Sequence, residues 1–338
     1  MARGQHTHGK DSGISRKAIA IALAVVVVVI VCVVGFSVHA CKSSDESSES
    51  QSVEETQPTT VDENISTEKE TDVEPQPEQS KQMAAAESAV KDIVADYGDD
   101  VAVAVVPLDG SLGFNINGGE KFVSASMIKL LILAEFMDEV DAGKLDSESV
   151  YTRDANDVVG GTGVIQNEAS GTTYSYDDLT RHMIMYSDNT ATNVLIDLMG
   201  MDSINEEAAE LSLDKTDLQR KMMDLNSGVE NHISANDAAE ILVGIANKSI
   251  ASKKLCEKAE SYLLKQTDSA GIVQGLPDGV EFGHKTGDLN TIRHDGGIVY
   301  AEDPYVIVVL TDIGASSANS LMSEVSDAVY RNLEGEGN

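Results

Sequence analysis

Cysteine is scarce in this sequence, and its placement excludes two kinds of chemistry. Of three copies, Cys32 lies inside a long apolar run, Cys41 ends that run, and Cys256 stands alone in everything that follows. No disulfide can form within that remainder, and a cysteine-based metal site there has no ligand set. Positive charge is scarce too: 24 lysines and arginines face 57 aspartates and glutamates, a formal net charge of -33. So acidic a chain repels phosphate backbones, which argues against nucleic-acid binding. His6 and His8 have no further ligands around them and read as part of a solvated tail. No internal repeat is visible.

What is present changes character along the chain. Residues 1–17 are short and polar, with Arg3, Lys10, Arg16 and Lys17. Ala18 to Val38 is then almost unbroken apolar sequence, long enough to cross a hydrocarbon core of ~30 Å as a helix. Basic residues precede it and mostly acidic ones follow, so the positive-inside rule puts the N-terminus in the cytoplasm and the rest outside. Val38-His39-Ala40-Cys41 also resembles a lipoprotein cleavage site, which leaves lipid attachment at Cys41 as the alternative to an uncleaved anchor. Either tether makes the membrane a partner and places the following domain outside the cytoplasm. Residues 39–82 are rich in Ser, Glu, Thr, Gln and Pro and cannot offset chain entropy by burial. As a flexible acidic spacer of ~40 residues they span about 35 Å. Residues 83–338 carry the globular pattern, large enough to bury a substantial core.

Within that domain the expected elements come in an unusual order. A helix over residues 84–97 precedes two strands, Val101 to Pro107 and Leu112 to Ile116. Helical patterns then run from Met127 to about Lys265, with Ser175 and Ser234 as N-caps, the latter in a capping-box pattern with Asp237, and Gly200 as a helix end. Strands return at Val280 to Gly287, His294 to Tyr300 and Tyr305 to Thr311, and a helix from Ser316 to Leu333 closes the chain. Strands at both ends of one domain must meet in one sheet, and short hairpin connections make it antiparallel. The expected class is α+β, an antiparallel sheet formed by the two chain ends with a helical block inserted between its halves.

One stretch organises this domain. Ser126-Met127-Ile128-Lys129 opens the apolar run through Phe136, so a serine sits at a helix start with a lysine three residues on, on the same face. A lysine that burial or a nearby cation keeps partly neutral can take a serine proton and make it a nucleophile. Ser-x-x-Lys is expected about once by chance in a chain this long, and Ser66 to Lys69 in the polar spacer is such a copy. Ser187-Asp188-Asn189, in a connection between helices, and Lys285-Thr286-Gly287, on a strand, are far rarer by chance.

These three elements in this order resemble the class A β-lactamases and, more broadly, the penicillin-recognising serine enzymes. The resemblance spans about Met83 to Leu333. Gly160 to Gln166 is similar to the glycine-containing stretch that this family carries before Ser-Asp-Asn. The resemblance implies that Ser126 is the acylated nucleophile, Lys129 its proton acceptor or relay, and Ser187 the donor to the leaving nitrogen. It implies that Asn189 holds the substrate amide, and that Lys285 and Thr286, with Arg293, bind the substrate carboxylate. The backbone N–H groups of Ser126 and Asp288, beside Gly287, would form an oxyanion hole. The chemistry requires no cofactor and no metal.

The family's deacylation loop reads Arg-x-Glu-x-x-Leu-Asn, and here the frame is Arg220-Lys221-Met222-Met223-Asp224-Leu225-Asn226. Met222 stands where the water-activating glutamate belongs, and a thioether accepts no proton from water. The resemblance therefore implies a hydrolase or acyltransferase that acylates on β-lactams or D-alanyl peptidoglycan-like substrates and deacylates poorly. Two alternatives remain open: a true β-lactamase in which Asp224 or Glu230 replaces the lost base, and a catalytically silent cell-wall binding module or sensor.

Overall fold

The computed structural model describes residues 81–334, so the apolar run, Cys41 and most of the acidic spacer lie outside the described residues. Helix α1 (Lys81–Val94) buries Met83, Ala86, Val90 and Val94, spaced along one stripe as a 3.6-residue period requires. Strands β1 (Val101–Pro107) and β2 (Phe114–Ile116) follow. The last three strands, β7 (Glu281–Leu289), β8 (Ile292–Tyr300) and β9 (Tyr305–Thr311), come from the other end of the domain. Together they form one five-stranded antiparallel sheet in the order β2-β1-β9-β8-β7. The expected α+β architecture is therefore the observed one.

Both faces of that sheet are covered, and the strands are patterned for it. Val101, Val103 and Val105 of β1, with Tyr305, Ile307 and Val309 of β9, pack with α1 and the terminal helix α8 (Ala315–Glu334). Ala102 and Ala104, with Val306, Val308 and Leu310, point to the opposite core. Successive side chains alternate between faces, so a strand buried on both sides reads as an unbroken apolar run. The alanines leave room for the inserted helical block.

That block is built on α2 (Lys129–Asp141), in which every residue from Lys129 to Met137 is buried. A helix apolar all round belongs in the centre of a bundle. Around it lie α3 (Tyr176–Met185), α4 (Asn189–Met199), α5 (Met201–Glu210), α6 (Ala235–Ala246) and α7 (Lys253–Leu263). Two-residue strands β3 (Phe122–Val123) and β6 (His232–Ile233) pair with each other, as do β4 (Val150–Thr152) and β5 (Thr173–Ser175). Among the described residues no helix is long and apolar enough to cross a membrane.

Ser175 and Ser234 cap α3 and α6 by accepting the Asp178 and Asp237 amides. The Asp237 carboxylate does not close a capping box; it accepts from Lys215 N and Thr216 Oγ1 and ties the preceding loop to α6. The buried Thr216 hydroxyl needs an acceptor, and the Asp237 carboxylate supplies it in place of a local cap. Gly200, with φ at 88°, ends α4 where a side chain would be strained.

Candidate active site

Ser126 lies one turn before α2, in the single 3-10 turn Ala125–Ile128. Ala125 enters that turn at φ 44°, a left-handed conformation that costs a residue with a side chain. The segment before it is held from two sides. Ser124 N donates to Asn231 O at 2.8 Å, and His294 Nε2 donates to Val123 O at 2.9 Å. His294 Nδ1 in turn accepts the Thr311 amide at 3.0 Å, so the proton must sit on Nε2 and the ring is neutral. Burial pushes this imidazole down to about 4.

The Lys129 amine is fully buried beneath the serine. It meets Ser187 O at 2.7 Å, Ser187 Oγ at 3.0 Å and Asn189 Oδ1 at 2.9 Å, rather than the Ser126 hydroxyl that spacing alone puts beside it. A desolvated amine needs partners, and the connection between α3 and α4 supplies carbonyl-type oxygens. Burial, and after it the charge of Lys285, hold this amine well below the usual ammonium value, with Asp188 opposing.

Ser187 adopts φ 51°, a second strained residue at the site. The buried Asp188 fixes it: one carboxylate oxygen caps α4 at Ala191 N (2.9 Å), and the other accepts from Val164 N and Ile165 N at 2.7 and 2.8 Å. Gly163 is required there, since an added Cβ would lie 2.3 Å from the Asp188 carboxyl carbon. Thr162 Oγ1 donates to Ser187 O at 2.6 Å, and Asn189 Nδ2 to Gly160 O at 3.0 Å. The glycine-containing stretch thus buttresses Ser-Asp-Asn and cradles no phosphate.

Strand β7 closes the other side. Its position at the sheet edge leaves it facing the cleft. Lys285 is fully buried and donates to Ser187 Oγ at 3.1 Å; burial pulls its amine down to about 7, against the charges of Asp295 and Asp268. At Gly287 an added Cβ would sit 3.1 Å from Ser124 O and 3.2 Å from Ser126 N, so glycine lets this strand lie against the Ser126 amide.

A cleft of about 560 Å³ gathers most of the residues singled out from sequence: Ser126, Ser187, Asn189, Thr286, Asp288 and Arg293 line it. Lys129, Lys285 and Gly287 lie under its floor. Met222 lines it as well, its backbone clamped by Asn193, whose side chain accepts Met222 N at 2.8 Å and donates to Met222 O at 3.1 Å. Glu230 reaches the cleft, but its Oε2 takes Arg220 Nη2 at 2.7 Å and Nε at 3.1 Å; Asp224 is exposed and outside the lining.

Several contributors carry no motif of their own. Asn193 is visible only as the residue one turn after Asn189 on α4, and Asp268 bonds Arg293 at 2.8 Å from a loop. On the sheet behind Lys285, buried His284 meets Asp295 at 2.8 Å. Away from the cleft, Glu135, Asp138 and Glu207 bring oxygens within 4.8 Å of one another, the one group of metal-ligand type found among the described residues. Burial raises Glu135 to about 7, while the Ser203 hydroxyl donates to it.

Comparison with known proteins agrees with this geometry. A family model described as the beta-lactamase enzyme family matches residues 85–333. Beta-lactamase CARB-3 of Pseudomonas aeruginosa is 22% identical over 259 residues, covering 75% of this chain and 89% of that protein. Among solved structures, a beta-lactamase from Sphaerobacter thermophilus aligns at 28% identity and TM-score 0.68, over 73% of this chain and 96% of its own. PBP-A, as a point mutant in an acyl-enzyme complex with penicillin G, shares the fold at 24% identity and TM-score 0.70, over 77% and 99%.

Proposed function

The chain belongs to the beta-lactamase enzyme family, as a serine hydrolase of the class A kind, and from that premise we propose that Ser126 forms an acyl-enzyme with β-lactams or D-alanyl peptidoglycan-like substrates and releases β-lactams slowly. The observation that carries this reading is the Lys129–Ser187–Lys285 chain beneath Ser126, in a cleft whose deacylation position holds Met222.

In this reading the Ser126 hydroxyl loses its proton to the neutral Lys129 amine as Oγ bonds to the substrate carbonyl carbon. The carbonyl π electrons move to oxygen, facing the amides of Ser126 and Asp288; each such donor is typically worth about 100- to 1000-fold in rate. When the carbon–nitrogen bond breaks, the Ser187 hydroxyl protonates the leaving nitrogen and is resupplied from Lys129. Asn189 orients the acyl amide, and Thr286, Lys285 and Arg293 receive the substrate carboxylate. Release needs a base on the attacking water, and Met222 offers none.

The time course of the penicilloyl adduct, followed by intact-protein mass spectrometry, tests both halves. A stable adduct on Ser126 is expected. No adduct on folded protein ends the proposal. Sustained nitrocefin turnover that Ser126→Ala abolishes replaces slow release with a substitute base. Labelling by a penicillin or fluorophosphonate probe, lost in Ser126→Ala, excludes a silent binding module.

The domain would act outside the cytoplasm, tethered through residues 18–38 or a lipid on Cys41. The charge asymmetry around the apolar run supports this. Added protease should digest the domain on intact protoplasts; protection until lysis overturns the placement.

A further inference from the structure

Five charged side chains line the cleft, and they do not balance: Glu230, Asp268 and Asp288 face Arg220 and Arg293. Arg220 is paired with Glu230 at 2.7 Å. Arg293 is taken by Asp268 at 2.8 Å and by Asn319 at 3.0 Å. Asp288 is left over. Its nearest cation is the same Arg293 Nη1, at 3.7 Å, and its side chain is 56% exposed.

Its position is specific. Asp288 and Arg293 are direct cross-strand partners, two residues along from the Thr286–Asp295 pair. The carboxylate therefore stands at the end of the cleft where Thr286, Lys285 and Arg293 would receive the substrate carboxylate. In a β-lactam that carboxylate sits on the fused ring, the leaving-group side. Lys285 does not offset this carboxylate: it is fully buried, and its amine is bonded to Ser187 Oγ and to the Thr286 carbonyl oxygen rather than to Asp288.

Resting on the acyl-enzyme reading above, we propose that the Asp288 side chain is a charge selector: it favours substrates with a positive group on the leaving-group side and disfavours those whose leaving-group side is purely anionic. A natural donor of this class carries an ammonium beside its carboxylate. Both arginines of the cleft are already paired, so Asp288 is the carboxylate that a cationic group on the substrate would meet. Part exposure limits the effect to about 3- to 10-fold.

Cephaloridine and cephalothin share one acyl side chain and differ at the 3′ position, pyridinium in the first and acetoxy in the second. The measurement is the second-order acylation rate of each, taken as a ratio so that general damage to the site cancels. In Asp288→Asn and Asp288→Ser the preference for the cationic compound should fall about 3- to 10-fold relative to wild type. Asp288→Glu should retain most of it. Adducts that form with a ratio unchanged in both neutral variants overturn the selector and leave the acyl-enzyme chemistry standing. No adduct on wild-type Ser126 with either compound ends both proposals. The side chain is exposed on an edge strand, so at least one neutral variant should fold.

Discussion

Lys129 and Lys285 reach the same hydroxyl from different elements, at 3.0 and 3.1 Å from Ser187 Oγ. One amine comes from the central helix and the other from the edge strand of the sheet. Two buried ammonium groups on one oxygen repel, so at least one must surrender its proton near neutral pH. Burial lowers both amines, and the charge of Lys285 lowers Lys129 further, which suits the proposed division of Lys129 as base and Lys285 as residual cation.

That division predicts a pH profile. Lys285 is charged below about 7 and neutral above it. Acylation efficiency with a carboxylate-bearing penicillin should therefore decline as pH rises through about 7, as weaker binding more than slower chemistry. Stopped-flow acylation across pH checks this, and Lys285→Arg should flatten the alkaline decline because a guanidinium stays charged. A decline that persists in the arginine variant assigns it elsewhere.

Met222→Glu should convert trapping into turnover. Asn193 already clamps this backbone at both its N–H and its C=O, so a carboxylate there would project into the same cleft. A positioned base contributes about 100-fold or more to a proton-transfer step. Deacylation of the penicilloyl adduct should accelerate by about that factor, read by mass spectrometry, while Met222→Ala should show no gain.

Gly287→Ala tests the close approach of β7. The added methyl would meet Ser124 O, Met127 Cγ and Ser126 N at 3.1 to 3.2 Å, so the neighbours must give by a few tenths of an ångström. Displacing the Ser126 amide from the oxyanion should slow acylation by about 10- to 100-fold with only modest loss of thermal stability. Equal rates for variant and wild type would show that the strand can retreat without affecting the site.

His294 should make the domain acid-sensitive. Its folded value, about 4 against an ordinary 6.5, means that the fold holds the neutral ring. The contribution to stability is therefore complete above about 6.5 and is lost as pH falls towards 4. The difference amounts to something on the order of 3 kcal/mol. Urea midpoints at several pH values in this window should fall on acidification, with a shallower fall in His294→Gln. A parallel fall in both proteins would assign the acid limb to other groups.

The sequence by itself determined the architecture and the cast of the site. Short unbroken apolar runs bounded by turn residues mark β1 and β9 as strands buried on both faces, and the longer apolar run after Ser126 marks a central helix, because run length and flanking residues separate the two. Ser187, Asn189, Lys285 and Thr286 were legible because they fall in short, rare patterns, and those patterns, in order, singled out Ser126 and Lys129 from a pair common by chance. Tertiary structure decided which atoms they touch. Lys129 turns to Ser187 and Asn189, Asp237 forgoes its cap for Thr216, and Arg293 is bound by Asp268 before any substrate arrives. None of these partners lies near the other in sequence. Hydrogen bonds and charges are satisfied by whatever the fold brings within reach, so spacing can nominate the groups but cannot assign their protons or their excess charge.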